Sequence, residues 1–242
     1  MKLAIMQPYF FPYLGYWQLL HAADCFVLFD DVQYIRRGWI NRNRILKPDS
    51  GWQYFGFPVR KHAKTDLIKD VLLHPDIDWK SKISGQIAHY KLKTRHFAEI
   101  NRIVTEILSD IGAVNVTMVN YKILNSLSRL LGLDCEILIS SDQNYDYQNV
   151  NGPGEWALRI SEQMKASEYI NPISGAGLFS QEQFEASSIK LAFLEMNEIE
   201  YQQSAAFEPA LSLLDLMMFK GVAGTKSFLD QYKITQVVDA TE

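Results

Sequence analysis

Cysteine is scarce in this chain: Cys25 and Cys135 are the only two among 242 residues, and they form no CxxC spacing. Both fall within apolar segments, which fits buried thiols in a reducing cytoplasm better than a disulfide or a thiolate metal site. Positive charge is not in excess. Twenty-four Lys and Arg against 28 Asp and Glu give a net charge of −4. That balance argues against nucleic acid as the main ligand and leaves room for a local basic patch. No apolar run approaches the ~18–20 residues of a membrane span. Gln7-Pro8 interrupts the one apolar run near the amino terminus, so neither an integral membrane segment nor a secretory leader is expected, and the expected location is cytoplasmic. The histidines carry no metal-type spacing: His21 falls in a predicted helix, His62 follows Arg60-Lys61, and His74, His89 and His96 are scattered. There is no GxSxG elbow, no Walker A loop, no repeat and no low-complexity linker. What remains is a chain of ordinary apolar (48%) and charged (21%) content, large enough to bury a core.

The first thirty residues are the most informative part of what is present. Residues 3–6 read as a buried strand and residues 16–23 as an amphipathic helix. Cys25-Phe26-Val27-Leu28-Phe29 reads as a second strand, ending in Asp30-Asp31. This is a βαβ unit, and such units bind ligands at the carboxyl ends of their strands. A third strand is expected over 52–59. Helices then follow around Ile83, Ile87 and Tyr90, from Phe97 to a stop at Gly112, and from Val119 to a stop at Gly132. Further strands are expected at 135–139, 169–170 and 189–193. Helices are expected from Pro153, at 211–219 and at 227–232. The fold class is therefore α/β, a mostly parallel sheet with a nucleotide-binding-like βαβ start. Residues 1–242 read as one domain, with a helical tract over 75–132 inserted or appended.

Four constellations sit where such a fold places chemistry. The first is the loop Gln7-Pro8-Tyr9-Phe10-Phe11-Pro12-Tyr13-Leu14-Gly15-Tyr16, where two prolines fix φ and Gly15 permits close backbone approach near a helix start. Its Pro12-Tyr13-Leu14-Gly15-Tyr16 stretch resembles the HxGH loop of nucleotidylyltransferases, with tyrosines in place of the histidines that stabilise phosphate charge. The second is Asp30-Asp31, read as a general base or an Mg²⁺ anchor. The third is Arg36-Arg37-Gly38-Trp39-Ile40-Asn41-Arg42-Asn43-Arg44, with arginines for phosphate and asparagines for sugar or base edges. The fourth is the glycine loop from Asn171 through Gly175 to Gly177.

The first three segments, with Tyr169-Ile170-Asn171 and Pro209-Ala210-Leu211-Ser212-Leu213-Leu214-Asp215, strongly resemble the WbqC-like family over nearly the whole chain. The stretch Pro172-Ile173-Ser174-Gly175-Ala176-Gly177 departs from the resemblance in its proline. The resemblance implies a role in O-antigen-type surface-polysaccharide biosynthesis, as a glycine or aminoacyl transferase acting on an amino sugar. Together with the residues, it leads to a transferase that takes a small nucleotide-linked sugar. Arg37, Arg42 and Arg44 would grip phosphates and Asn41 and Asn43 would orient sugar or base. Asp30 and Asp31, with Tyr16, would serve the chemistry. Gln7, Pro8, Tyr9, Gly15, Trp39, Asn171 and Gly175 would complete the substrate site. ATP and Mg²⁺ are the candidate cofactors, and no metal ligand set is assigned. A metal-dependent glycosyltransferase and a non-catalytic sugar-nucleotide-binding accessory protein are the alternatives, and the oligomeric state is left open.

Overall fold

A computed structural model describes residues 1–112, 114–148, 150–204 and 206–236. The chain begins with β1 (Lys2–Met6), α1 (Leu14–Ala22) and β2 (Cys25–Leu28), followed by a hairpin of β3 (Arg42–Leu46) and β4 (Trp52–Gly56). Three helices come next: α2 (Trp79–Ile87), α3 (Phe97–Ser109) and α4 (Val116–Leu131). Strands and helices then alternate through β5 (Glu136–Ile139), α5 (Pro153–Gln163), β6 (Glu168–Pro172), α6 (Gln181–Ala186) and β7 (Lys190–Met196). The last described elements are α7 (Leu213–Lys226) and β8 (Tyr232–Thr235).

Six strands form one sheet in the order β5-β2-β1-β6-β7-β8. All neighbours are parallel except β7 and β8. Alternation along each strand assigns the two faces. Leu3, Ile5, Cys25, Val27, Tyr169, Leu191 and Phe193 pack under α5 and α6. Ala4, Phe26, Leu28, Ile170, Ala192 and Leu194 pack under α1, α4 and α7. Burial on both faces explains why these strands read as continuous apolar runs.

Several sequence expectations change in detail. α1 starts at Leu14 and is not amphipathic, because every residue from 14 to 20 is buried. Its Gln18 is accommodated by donating Nε2 to the Phe228 and Gln231 carbonyls, at 2.9 and 3.1 Å. The expected strand over 52–59 is the shorter β4, which pairs antiparallel with β3 and lies outside the main sheet. The partner strand, Arg-Asn-Arg-Ile-Leu, had no alternating apolar pattern to announce it. α3 stops at Ser109, capped by Asp110, and not at Gly112. Gly132, by contrast, adopts φ 74° and ψ 37° after α4. The Leu133 amide there reaches back to the Ser128 carbonyl in a Schellman closure. The expected helix at 227–232 is a turn leading into β8, where Ile234 and Thr235 pair with Leu194 and Phe193. The glycine loop at 171–177 is the end of β6 followed by a 3₁₀ turn, Ile173–Leu178.

The two strands of the hairpin meet in a close backbone approach where β4 ends beside the start of β3. A Cβ added to Gly56 would sit 2.2 Å from the Asn41 carbonyl oxygen. Gly85, inside α2, faces open space. Gly56→Ala is therefore expected to cost about 1–3 kcal/mol, and Gly85→Ala to gain about 0.5–1 kcal/mol. Urea denaturation of the two variants would read both signs.

Candidate functional site

Successive strands run from β1 to β2 and β5 on one side, then from β6 to β7 on the other, so the order reverses between β1 and β6. Crevices at such a reversal, outside the carboxyl ends of the strands, are where open α/β sheets bind ligands. Here a cleft of about 560 Å³ opens at that point. Met6, Gln7 and Tyr9 line it from β1 and its loop, and Phe29 and Val32 from the end of β2. Gly152, Pro153 and Trp156 contribute from the start of α5, and Tyr169, Asn171 and Phe179 from β6 and beyond. The walls combine flat rings and aliphatic side chains with a few amides, a composition that suits a ring-bearing ligand with a few polar groups.

The loop after β1 keeps its shape because its carbonyls are occupied from elsewhere. The Tyr16 hydroxyl donates to the Gln7 carbonyl at 3.0 Å, and Asn120 Nδ2 to those of Pro8 and Ile40 at 2.7 Å each. Asn43 Nδ2 donates to both Phe10 and Phe11 at 3.0 Å, and the Ser212 hydroxyl to Phe11 at 2.7 Å. The Trp17 indole and the Leu213 amide donate to Pro12, at 3.1 and 2.9 Å. Phe11 itself sits at φ 38°, a conformation such bracing must hold for a non-glycine residue.

This arrangement locates each expected site residue. Gln7, Tyr9 and Asn171 line the cleft. Tyr16 is buried under the loop, and burial pushes its hydroxyl pKa well up, with the neighbouring Tyr9 adding to the shift. Gly15 lies inside α1, where a Cβ would meet the Tyr13 ring at 2.6 Å, so that ring fills the space kept for a ligand backbone contact. Pro8 is buried. Gly175 makes room for Asn171, whose Nδ2 lies 2.3 Å from where a Cβ would stand. The Tyr169 hydroxyl donates to Asn171 Oδ1 at 3.0 Å, fixing which end of that amide faces the strand.

The basic segment spreads along the hairpin. Asn41 accepts from the Tyr34 hydroxyl at 2.8 Å and donates to the Phe57 carbonyl at 2.9 Å. With Asn43 it braces backbone, so both amides are already engaged. Arg44 and Trp39, with Tyr9, Tyr13 and Asn43, line a second depression of about 140 Å³. Tyr9 is thus a wall common to this depression and the cleft. Arg44 lies 5.0 Å from the Trp52 ring and donates Nη2 to the Ala210 carbonyl at 3.1 Å, while its buried Nε has no partner among the described residues. Arg42 turns to a third hollow of about 260 Å³ bounded by Tyr54, Lys82 and Gln86. Arg37 is exposed at φ 61°.

The two aspartates have separate surroundings. Asp30 is buried, and its Oδ1 accepts from the Ser140 hydroxyl at 2.9 Å and the Ser141 amide at 3.0 Å. Its Oδ2 accepts from the Ser141 hydroxyl at 2.9 Å. These bonds tie the end of β2 to the end of β5 and leave Asp30 poorly suited to an Mg²⁺ ion. Asp31 pairs with Lys69 Nζ at 2.8 Å and accepts from the Tyr147 hydroxyl at 3.0 Å. The hydrogen bond to Asp31 raises the Lys69 pKa, and burial, then the same carboxylate, raises that of Tyr147. The Tyr147 ring lies 4.7 Å from Trp156 of the cleft wall, which sets the trio at the cleft's edge. Among the described residues no three His, Cys, Asp or Glu side chains come together as a metal set.

Lys69, Tyr147, Trp156 and Phe179 were not singled out from the sequence. The Gly152-Pro153-Gly154 run that starts α5 was the available sign of a close approach: a Cβ on Gly154 would lie 1.9 Å from the Leu178 carbonyl oxygen.

An α/β chain with reversed strand order and a cleft at the reversal is the class of protein these features define. A family model matches residues 7–227, and the chain belongs to the WbqC-like protein family. It is 30% identical over 226 residues to an uncharacterised protein, Rv1507c, of Mycobacterium tuberculosis, covering 91% of this chain and 94% of that one. No solved structure matches it.

Ser140→Ala strips a hydroxyl from a buried carboxylate and is expected to lower stability by about 1.5–3 kcal/mol, the range for bonds to charged groups. Asp31→Asn, at the cleft's edge, is expected to cost less than Ser140→Ala in the same denaturant titration.

Proposed function

We propose that this protein is a transferase that binds a nucleotide-linked amino sugar in the cleft and attaches an aminoacyl group, of which glycine is the simplest, to the sugar's amine. The observation that carries the reading is the position of Tyr9, one wall of both the ring-lined cleft and the depression holding Arg44. A ligand with a flat ring at one end and phosphates at the other would lie across it. The ring would pack against Trp156 and Phe29, with Gln7 offering hydrogen bonds, and the phosphates would approach the Arg44 guanidinium.

Acyl transfer to an amine requires the nitrogen to attack the acyl carbonyl while it loses a proton and the activating group departs. Asp31 is the base we assign to that proton. The Lys69 ammonium and the Tyr147 hydroxyl both hydrogen-bond its carboxylate and orient it. The acyl donor would be an activated carboxyl group such as an adenylate or thioester. Members of the WbqC-like family are associated with O-antigen-type polysaccharide biosynthesis, which is consistent with an amino-sugar acceptor. The glycosyltransferase alternative has less support, because both Asp30 oxygens are engaged by Ser140 and Ser141.

The test is calorimetric titration with UDP-linked sugars, with UMP and free sugar as controls. It is followed by incubation of an amine-bearing nucleotide sugar with glycine and ATP and mass detection of a glycyl adduct. Trp156→Ala is expected to weaken binding about tenfold, within the ~1–3 kcal/mol of a stacked ring. Asp31→Asn is expected to keep binding and to lose about 10²–10⁴ in rate. No binding by any phosphate-bearing sugar would overturn the assignment.

A further inference from the structure

Charge in this chain is segregated. Residues 36–64 hold eight Lys and Arg and a single acid, Asp49, while the rest of the chain holds 16 basic and 27 acidic residues. Elsewhere cations find carboxylates, as in Lys69–Asp31, Arg102–Glu106, Arg159–Glu162 and Lys190–Glu168. None of the eight cations in 36–64 makes an ion pair among the described residues.

Backbone carbonyls hold three of these cations, Arg36, Arg42 and Arg44, in place. Arg42 donates Nη2 to the Arg37 carbonyl and Nε to that of Gly38 at 3.4 Å, and Arg36 donates Nη2 to the His62 carbonyl. The Arg36 bond ties the loop before β3 to the loop at 60–64, where Arg60, Lys61 and Lys64 are exposed. Asp66, just beyond, is turned back to cap the Ala63 amide at 2.9 Å.

Between the charges lie flat rings. On the outer side of the hairpin, the Arg42 guanidinium sits 3.9 Å over the Tyr54 ring, and Tyr54 lies 5.0 Å from Trp52. Tyr54 is 40% exposed, while Asn43, Ile45 and Phe55 fill the inner side. Cations without ion pairs, interleaved with accessible rings, match a polyanion whose repeat also carries a ring.

We propose that this face binds single-stranded nucleic acid. Phosphates would lie along Arg36, Arg37, Arg60 and Lys61, and a base would stack at Tyr54 beside Arg42. A duplex buries its ring faces and gives Tyr54 nothing to stack on. An anionic bilayer answers the charge, but its hydrocarbon needs a continuous exposed aliphatic face, and the exposed aliphatics near this patch, Ile35, Leu72 and Ile77, stand singly on three separate segments. The net charge of −4 hides this patch because the acids lie outside it. The proposal goes beyond the cleft reading and does not depend on it.

Fluorescence anisotropy with a labelled single-stranded RNA of about 12 nucleotides, within the ~4–16 such folds occupy, tests it. Binding is expected to be micromolar at low salt. Its log–log salt slope should be near −3, from about −0.7 for each of four phosphates. The double variant Arg60→Glu/Lys61→Glu should weaken binding at least tenfold and leave the circular dichroism spectrum and nucleotide-sugar affinity unchanged. Tyr54→Leu should weaken it about fivefold, within the ~1–3 kcal/mol of a stacked base, with the salt slope preserved. Absence of binding at low salt would overturn the proposal. So would equal affinity for duplex RNA of the same length, or capture by phosphatidylserine-containing vesicles without RNA binding.

Discussion

The structure depends on satisfying the backbone of one loop. Residues 7–12 run across the carboxyl end of the sheet among packed rings, and a carbonyl left bare there costs about 1–3 kcal/mol. Five of its six carbonyls are met by donors from outside the loop: Tyr16, Asn120, Asn43, Ser212, Trp17 and the Leu213 amide. These come from α1, β3, α4 and the start of α7. The hairpin and the helices are fastened to the sheet at the place where the cleft forms. The loop's own amides take part as well, Phe10 donating to the Trp39 carbonyl at 2.9 Å. Cleft geometry and tertiary assembly are therefore the same set of bonds seen from two sides.

The same accounting separates residues that looked alike. Asp30 and Asp31 are adjacent, yet Asp30 is spent on joining β2 to β5, while Asp31 stands with Lys69 and Tyr147 at the cleft's edge. Asn43 is buried and uses its amide to brace backbone, while its neighbour Arg44, on the other side of β3, is half-buried and bounded by the Trp39 and Trp52 rings. A third carboxylate, Asp215, is buried and accepts from the Tyr90 and Tyr201 hydroxyls and from Gln203, with no ion pair among the described residues. Burial raises its pKa, although those hydrogen bonds pull the other way. It fastens the segment before α7 over the hairpin.

The βαβ opening, the strand at 135–139 and the Gly132 stop were legible because apolar runs and a C-terminal glycine are local signals. β3 was not, since its inward side is an asparagine and an isoleucine and its outward side is arginine. The stretch 227–232 reads as a helix because Phe228, Leu229 and Tyr232 have helical spacing, whereas the chain turns there and enters β8 at Tyr232 to pair with β7. For the candidate site, sequence order placed the aromatic loop, the acids and the arginines close together. It gave no sign that Lys69 and Tyr147 would meet Asp31 across 38 and 116 residues. Long-range partners of this kind leave no periodicity to read.

The most direct measurement of the central claim, that side-chain amides from distant elements hold the cleft-forming loop, is amide hydrogen exchange on Asn120→Leu. This variant keeps the branched shape of a side chain that is fully buried and removes the donor to the Pro8 and Ile40 carbonyls. The account predicts faster exchange at Phe10, whose amide bonds to Trp39, and unchanged protection at Ala4 and Val27 in the sheet. Undiminished protection at Phe10, or uniform loss across sheet and loop alike, would contradict it.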